Sequence, residues 1–275
     1  VSVHERLAVV ISTFDKPDFL RLVLDSYRHQ TDLSFRIYIA DDGSGKETSE
    51  LIAATRKNYP VPIEHVWHEN RGFRKARIHN TTIARISEPY VLFTDGDCIP
   101  LPDLVATHRR LAQENTLISG RRILISRAWT EQLCRQKRFP ASMGPWFWLK
   151  HRICGDINRL VPVFLPSSLL GPPHQRLEGI RGCHLSCWHR DIVRVDGFDE
   201  IYEGWGREDS DLVARLFHAG IRRRDLRGQP VLHLWHPEEE RTGLNRNDHL
   251  LEECLKEGRI RAVKGLAHLH GDARG

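Results

Sequence analysis

Val91-Leu-Phe-Thr-Asp95-Gly-Asp97-Cys-Ile-Pro100 is the stretch on which the reading of this chain turns: an apolar run of strand length stops abruptly in two carboxylates one residue apart. Residues i and i+2 of a strand share a face, so Asp95 and Asp97 can turn oxygens toward one hard cation while Gly96 leaves room for a ligand. Such a cation takes oxygen ligands and often completes its shell with phosphates. An acidic turn after a strand has the same residues, so the neighbouring segments must distinguish the two.

Working outward, strand and helix patterns alternate. Leu7 to Phe14 is a short apolar run, and Phe19 to Gln30 follows with Leu20, Val23, Leu24 and Tyr27 at helical spacing. Phe35 to Ala40 is β-rich and stops at Asp41-Asp42-Gly-Ser44, after which Glu47 to Asn58 carries Leu51, Ile52 and Thr55 as a helix would. Ile63 to His68 predicts a third strand, Lys75 to Ile86 a helix, and Tyr90 to Thr94 the strand that leads into the two aspartates. Alternation of this kind predicts an α/β fold with a mostly parallel central sheet flanked by helices. Ligands of such sheets sit beyond the carboxyl ends of the strands, where Ser12-Thr13, Asp41-Asp42 and Asp95-Asp97 all fall.

The second half is less regular. Asp103 to Asn115 predicts a helix and Leu117 to Ile125 a strand, and the chain is then rich in aromatic and basic residues from Arg127 to Pro173. Arg135-Gln-Lys-Arg-Phe139 and Pro145-Trp-Phe-Trp-Leu-Lys-His-Arg152 set bulky apolar groups beside cations. That mixture suits an anionic membrane surface, and it equally suits an insertion that packs its Trp residues onto the core. Nucleic acid is not among the expected partners.

With 275 residues, 40% hydrophobic and 28% charged, the chain has the composition of a soluble globular protein that buries a substantial core. No apolar run approaches the roughly 18 residues of a membrane span, and Val1-Ser-Val-His-Glu-Arg6 lacks the apolar core of a signal peptide. A cytoplasmic protein is expected. The formal charge of +5 suits acidic partners such as nucleotide phosphates or anionic head groups. Six cysteines without a C-x-x-C pair predict reduced thiols, and Cys183, His184, Cys187 and His189 match no standard zinc spacing.

From Gly182 to Pro237 the chain carries Gly182-Cys-His-Leu-Ser186, Val195-Asp-Gly-Phe-Asp-Glu200 and Gly204-Trp-Gly-Arg-Glu208-Asp209-Ser-Asp211. Asp211 to Ala219 predicts a helix stopped by Gly220, and acidic residues before it are favoured by the helix dipole. Capping does not account for Gly-Trp-Gly, which lets the chain bend and sets a large flat ring beside the carboxylates, as packing of a sugar face requires. Val231-Leu-His233-Leu-Trp-His236-Pro237 predicts a short strand with two histidines, either of which could reach a metal held by the aspartates.

In this order, the motifs resemble those of glycosyltransferases with the GT-A fold, specifically family 2 enzymes whose carboxyl half is similar to the β-1,4-galactosyltransferase group. The resemblance covers most of Leu7 to Pro237: a strand ending in Ser-Thr, Asp41-Asp-Gly-Ser44, Asn70-Arg-Gly-Phe-Arg-Lys-Ala-Arg-Ile-His-Asn80, Asp95-Gly-Asp97, Gly182-x-x-x-Ser186, Asp196-Gly-Phe-Asp199 and Gly204-Trp-Gly-x-Glu-Asp209. It implies a glycosyltransferase domain over 1–240, with 1–115 binding a nucleotide-diphosphate sugar, usually a UDP-sugar, and 116–240 binding the acceptor around the 127–173 insertion. Residues 241–275 form a helical tail, suited to covering the domain, pairing with a second subunit or touching lipid.

Carried across, the resemblance implies that Ser12, Thr13, Asp41 and Asp42 surround the nucleoside and that Phe73 and Lys75 hold the base. Asp95, Gly96 and Asp97 bring Mn²⁺ or Mg²⁺ to the diphosphate, with Asp97 the surer ligand, His233 the third protein ligand and His236 its rival. Trp205 and Glu208 grip the sugars, and Asp209 is the base of an inverting displacement. The alternatives are a nucleotidyltransferase that makes nucleotide sugars, which would want a glycine-rich loop where Phe14-Asp15-Lys16-Pro17 stands, and an inactive nucleotide-binding module of the same fold. The expected acceptor is a hydroxyl of a glycan or lipid-linked glycan, as in lipopolysaccharide or surface polysaccharide synthesis, met peripherally at the inner face of the cell membrane.

Overall fold

Strand β1 (Leu7–Thr13) is apolar at every position from Leu7 to Ile11, and all five of those side chains are buried. Leu7, Val9 and Ile11 enter one hydrophobic cluster while Ala8 and Val10 enter another. A strand whose alternate residues are all apolar must be covered on both faces, and the same division recurs in β2 (Phe35–Asp41) and β4 (Tyr90–Asp95). The computed structural model of the protein describes residues 7–140, 143–238 and 243–272. The expectation for Val1 to Arg6, and the first and last residues of the tail, lie outside the described residues.

Between these strands lie α1 (Pro17–Arg28), α2 (Lys46–Arg56), β3 (Ile63–Trp67) and α3 (Lys75–Ile83), close to the predicted elements. The chain continues through β5 (Cys98–Ile99), α4 (Leu104–Leu111), β6 (Thr116–Ser119), β7 (Arg122–Leu124), α5 (Arg127–Gln136), α6 (Pro145–Ile153) and α7 (Val161–Phe164). It then forms β8 (His184–Trp188), α8 (His189–Arg194), α9 (Glu208–His218), β9 (Arg222–Asp225), β10 (Val231–His233), α10 (Leu244–Glu257) and α11 (Leu266–Asp272). The large sheet has the order β3-β2-β1-β4-β8-β6-β9, and β8 alone runs against its neighbours. A mostly parallel sheet is therefore observed, as the alternation predicts. Among the described residues, a three-stranded sheet β5-β10-β7 lies beside it.

Parallel register levels the strand ends. Ser12 pairs with Asp95, Thr13 with Asp41, and Asp41 with Trp67, so four strands finish in one row of polar and aromatic groups.

Two expectations are revised, and for two segments the structure bears on alternatives that the sequence left open. The single strand over 117–125 is two strands in different sheets, broken at Gly120, because the backbone there runs against the His184 ring: a Cβ on Gly120 would collide with the imidazole. The helix expected to begin at Asp211 begins at Glu208, since Arg207 adopts a left-handed conformation (φ 78°) that ends the preceding loop. Among the described residues the 127–173 segment forms three short helices; Trp129 and Trp148 are buried in the core while Trp146 is 81% exposed. The tail covers its own domain: Asp199 accepts hydrogen bonds from the Val263 and Lys264 amides, and Asp196 from that of Ala267. No described helix is long and apolar enough to cross a membrane.

Gly120→Ala should lower unfolding stability by about 1–3 kcal/mol through overpacking against His184, whereas Gly144→Ala, where an added Cβ meets nothing within 4 Å, should change it by less than about 1 kcal/mol. Urea denaturation of both proteins checks the contrast.

Candidate active site

Pairing in the small sheet assembles three potential metal ligands. His233 lies opposite Cys98, one residue from Asp97, and the Leu234 amide donates to the Asp97 carbonyl (2.9 Å). The Asp97 carboxylate then lies 3.7 Å from His233 Nε2 and 3.2 Å from His236 Nε2, with all three side chains partly shielded. The two histidines, expected as rivals, face the same carboxylate together. Burial pushes the Asp97 carboxyl upward, but the His236 hydrogen bond and the nearby His233 outweigh it and hold it well below the usual range. Burial also keeps His233 down, while its bond to Asp97 raises His236. One carboxylate and two imidazoles, with ligand atoms within 4.8 Å of one another, fit a divalent transition ion.

Asp95 does not join this cluster. Its Oδ1 accepts from Ser12 Oγ (2.6 Å) and from Lys75 Nζ (2.9 Å), and its other near neighbours are the buried thiols of Cys98 and Cys183. Lys75, expected at the base, stands instead between carboxylates, 4.0 Å from Glu208. Burial works against its charge, yet Asp95 and Glu208 prevail and hold the ammonium well above the ordinary lysine range. Gly96 also has a packing reason within the protein. Its amide donates to the Ser12 carbonyl (2.7 Å), and a Cβ there would meet Thr13 Oγ1 at 3.0 Å, so the missing side chain makes room for the end of β1.

The Asp41-Asp42 pair is mostly engaged in building its own turn. Asp41 is fully buried, accepting from the Ser44 amide (2.8 Å) and bonding His65 Nε2 (2.8 Å). Asp42 bonds His68 Nε2 (2.6 Å) and accepts from the Arg74 amide (2.8 Å), fixing the loop that carries Phe73. Phe73 is exposed, and so are two rings that the sequence reading passed over: Trp67, whose indole donates to the Ser44 carbonyl (3.0 Å), and Phe14, beside the Asp15 amide that donates to Ser44 Oγ.

On the other side of Lys75, α9 begins with Glu208 and Asp209. Asp209 accepts from the Gly182 amide (2.7 Å) and the Ser210 amide (2.7 Å), which fixes its carboxylate at the helix start. Burial and then Asp209 push the Glu208 carboxyl up to about 7, against the pull of Lys75. The Trp205 loop needs its glycines, as Gly204 and Gly206 both have positive φ (76° and 96°). It is fastened by a residue that no motif indicated. Asn247 of α10 is fully buried and donates to the carbonyls on both sides of the tryptophan, Glu203 (3.2 Å) and Gly206 (2.9 Å), while the neighbouring Asp248 pairs with Arg207. Asn80 likewise donates to the Phe198 carbonyl (2.8 Å), and also to the Glu200 carboxylate (3.2 Å), while its Oδ1 accepts from the Phe198 amide (2.8 Å).

A carboxyl raised in the fold favours its protonated form, so its stabilising contribution is complete below the ordinary glutamate value of 4.5 and is lost as pH rises through about 7. Glu208→Gln, which keeps the neutral form, should therefore gain stability relative to wild type by roughly 1–3 kcal/mol between about pH 5 and pH 8. Denaturation across that range measures it; a constant difference would mean that Glu208 is ionised throughout.

The sequence profile of Glycosyl transferase family 2 matches residues 8–159, and that of the N-terminal domain of galactosyltransferase matches residues 171–237. Validoxylamine A glucosyltransferase of Streptomyces hygroscopicus is 25% identical over 234 residues, 78% of this chain and 52% of that protein. An uncharacterized glycosyltransferase of Bacillus subtilis is 22% identical over 285 aligned positions, 94% of this chain and 72% of that one. The chain spans about half the length of the validoxylamine A glucosyltransferases it matches. Among solved structures, S. aureus TarS 1-349 in complex with UDP-GlcNAc aligns with TM-score 0.62 at 13% identity, covering 96% of this chain and 69% of that one. The mannosyltransferase PcManGT from Pyrobaculum calidifontis, in complex with GDP-Man and Mn2+, aligns with TM-score 0.57 at 16% identity, covering 96% and 67%. At these identities the likeness concerns the fold, which is the GT-A fold that the motifs resemble. With the family profile spanning more than half of its residues, the chain belongs to Glycosyl transferase family 2.

Proposed function

We propose that the chain transfers a sugar, with inversion, from a nucleotide-diphosphate donor to a hydroxyl of a glycan or lipid-linked glycan, as in lipopolysaccharide or surface polysaccharide synthesis. The observation that carries this reading is the rim where Asp97, His233 and His236 converge two residues from Asp95, which Lys75 links to Glu208 beside Asp209. Residues of the first half hold the donor: Thr13 and Asp42 beside the nucleoside, with the exposed rings of Phe73, Trp67 and Phe14 available to stack on the base. A UDP-sugar is the preferred donor, in line with the UDP-GlcNAc of the TarS complex. Asp97, His233 and His236 would hold the metal, and with two imidazoles among three donors Mn²⁺ suits them better than Mg²⁺, which favours oxygen ligands. When bound, such an ion stabilises negative charge on a departing diphosphate.

Asp209 takes the proton of the acceptor hydroxyl as that oxygen bonds to the anomeric carbon and the bond to the diphosphate oxygen breaks. The Gly182 amide orients the base, Lys75 and Asp95 brace one side of the site, and Trp205 packs against a sugar face. Family membership leaves the nucleotidyltransferase reading without support. Asp209→Asn should lower turnover by about 10²–10⁴-fold, the usual cost of losing a general base, while nucleotide binding is kept. Product release from a panel of nucleotide sugars, with NMR of the product anomer, tests both points. Wild-type turnover in Asp209→Asn would remove the base, and a retained anomeric configuration would remove inversion.

A further inference from the structure

Helix α6 is apolar on two opposite sides, and the fold accounts for one of them. At about 100° per residue, Phe147, Trp148 and His151 form the inner side, where Trp148 is buried and His151 stacks on Trp129 with ring centroids 4.0 Å apart. Trp146, Leu149 and Ile153 form a stripe within about 60° of arc on the outer side, and they are 81%, 36% and 75% exposed. Lys150 and Arg152 flank that stripe, one on each edge. Isolated exposed apolar residues need no explanation, but a continuous apolar stripe edged by cations on a helix is the pattern that settles at a lipid interface.

We propose that this face of α6 docks on an anionic lipid bilayer, with Trp146 and Ile153 entering the head-group boundary and Lys150 and Arg152 meeting lipid phosphates. Charge selects this occupant. Segment 127–173 holds seven Lys and Arg against two acidic residues, a net +5 that equals the charge of the entire chain. Two copies placed face to face would oppose these like charges, whereas an anionic surface is drawn to them.

Docking here also aims the active site. Through Trp129, α6 is stacked on α5, and α5 holds the metal-ligand loop: the Trp235 amide donates to Thr130 Oγ1 (2.9 Å) and the Arg127 guanidinium lies over the Trp235 ring at 4.9 Å. His236 follows Trp235 in the same loop. A bilayer under α6 would therefore lie beside the rim where a lipid-linked hydroxyl has to arrive; this purpose, though not the docking itself, rests on the acceptor class proposed above.

The test is co-sedimentation of the protein with phosphatidylglycerol–phosphatidylcholine vesicles and with pure phosphatidylcholine vesicles, in EDTA and without donor, so that the result is independent of turnover. Wild type should bind the anionic vesicles, release them as salt rises, and ignore the neutral ones. Trp146→Glu with Ile153→Glu should weaken binding by about tenfold or more, and Lys150→Ala with Arg152→Ala should weaken it and flatten the salt dependence. Unchanged thermal unfolding of both variants secures their folding, and unchanged hydrolysis of the donor separates docking from the active site. Absence of vesicle binding, equal binding by the variants, or a wild-type dimer in sedimentation that the Glu variants dissolve without any vesicle binding would each overturn the proposal.

Discussion

Parallel register levels Asp41 and Asp95, Asp42 and Asp97 follow just beyond those strand ends, and Lys75 joins Asp95 to Glu208 at the start of α9, so that several carboxylates share one end of the protein, where partially buried like charges repel strongly. The rest of the site follows from how each is compensated. Asp41 and Asp42 are met by His65 and His68, Asp95 by Lys75 and Ser12, Asp97 by His233 and His236, and Asp209 by two backbone amides. Glu208 is left with a lysine shared at 4.0 Å, and its carboxyl accordingly favours the proton. Of the two imidazoles that face Asp97, burial holds His233 toward its neutral form, while the hydrogen bond to Asp97 raises His236.

Much of this fold was legible because its signal is local. Alternating apolar residues in β1, β2 and β4 state that both faces are covered, and the polar groups after them state where a ligand would lie. What escaped reading is tertiary in origin. Gly120 interrupts a β-rich run only because His184 presses on it, and nothing in the letter Arg announces that Arg207 has a left-handed backbone. Lys75 illustrates the same limit within the site. Motif position suggested a contact with the base, but its place in the first turn of α3 directs its ammonium to Asp95. Asp97 and His233 drew attention in the sequence because their residue types suit metal ligation, and Asp209 because of the resemblance. Asn80 and Asn247 did not, because they act by satisfying backbone carbonyls of loops distant in sequence.

Those two asparagines show how the acceptor half is held in shape. The Trp205 loop has positive φ at three of four consecutive positions, Gly204, Gly206 and Arg207. Asn247, buried in α10, anchors it through two hydrogen bonds from its amide nitrogen. Below it, Arg215 is fully buried, paired with Asp211 and donating to the carbonyls of Val195 and Gly197. Helix α9, which starts with the two carboxylates of the site, is thereby tied both to the Asp196-Gly-Phe-Asp199 turn and to the tail. The tail, beyond both segments matched by the family profiles, is thus part of the frame around the site.

The central claim is that Asp97, His233 and His236 hold a divalent ion on which the diphosphate of a nucleotide sugar is seated. Calorimetric titration of UDP, GDP, ADP and CDP into the protein, with Mn²⁺ and with EDTA, tests it most directly. Binding of one nucleoside diphosphate that requires Mn²⁺ and disappears in Asp97→Ala is the predicted result. Equal affinity in EDTA, or Mn²⁺-dependent binding that survives Asp97→Ala, would contradict the claim.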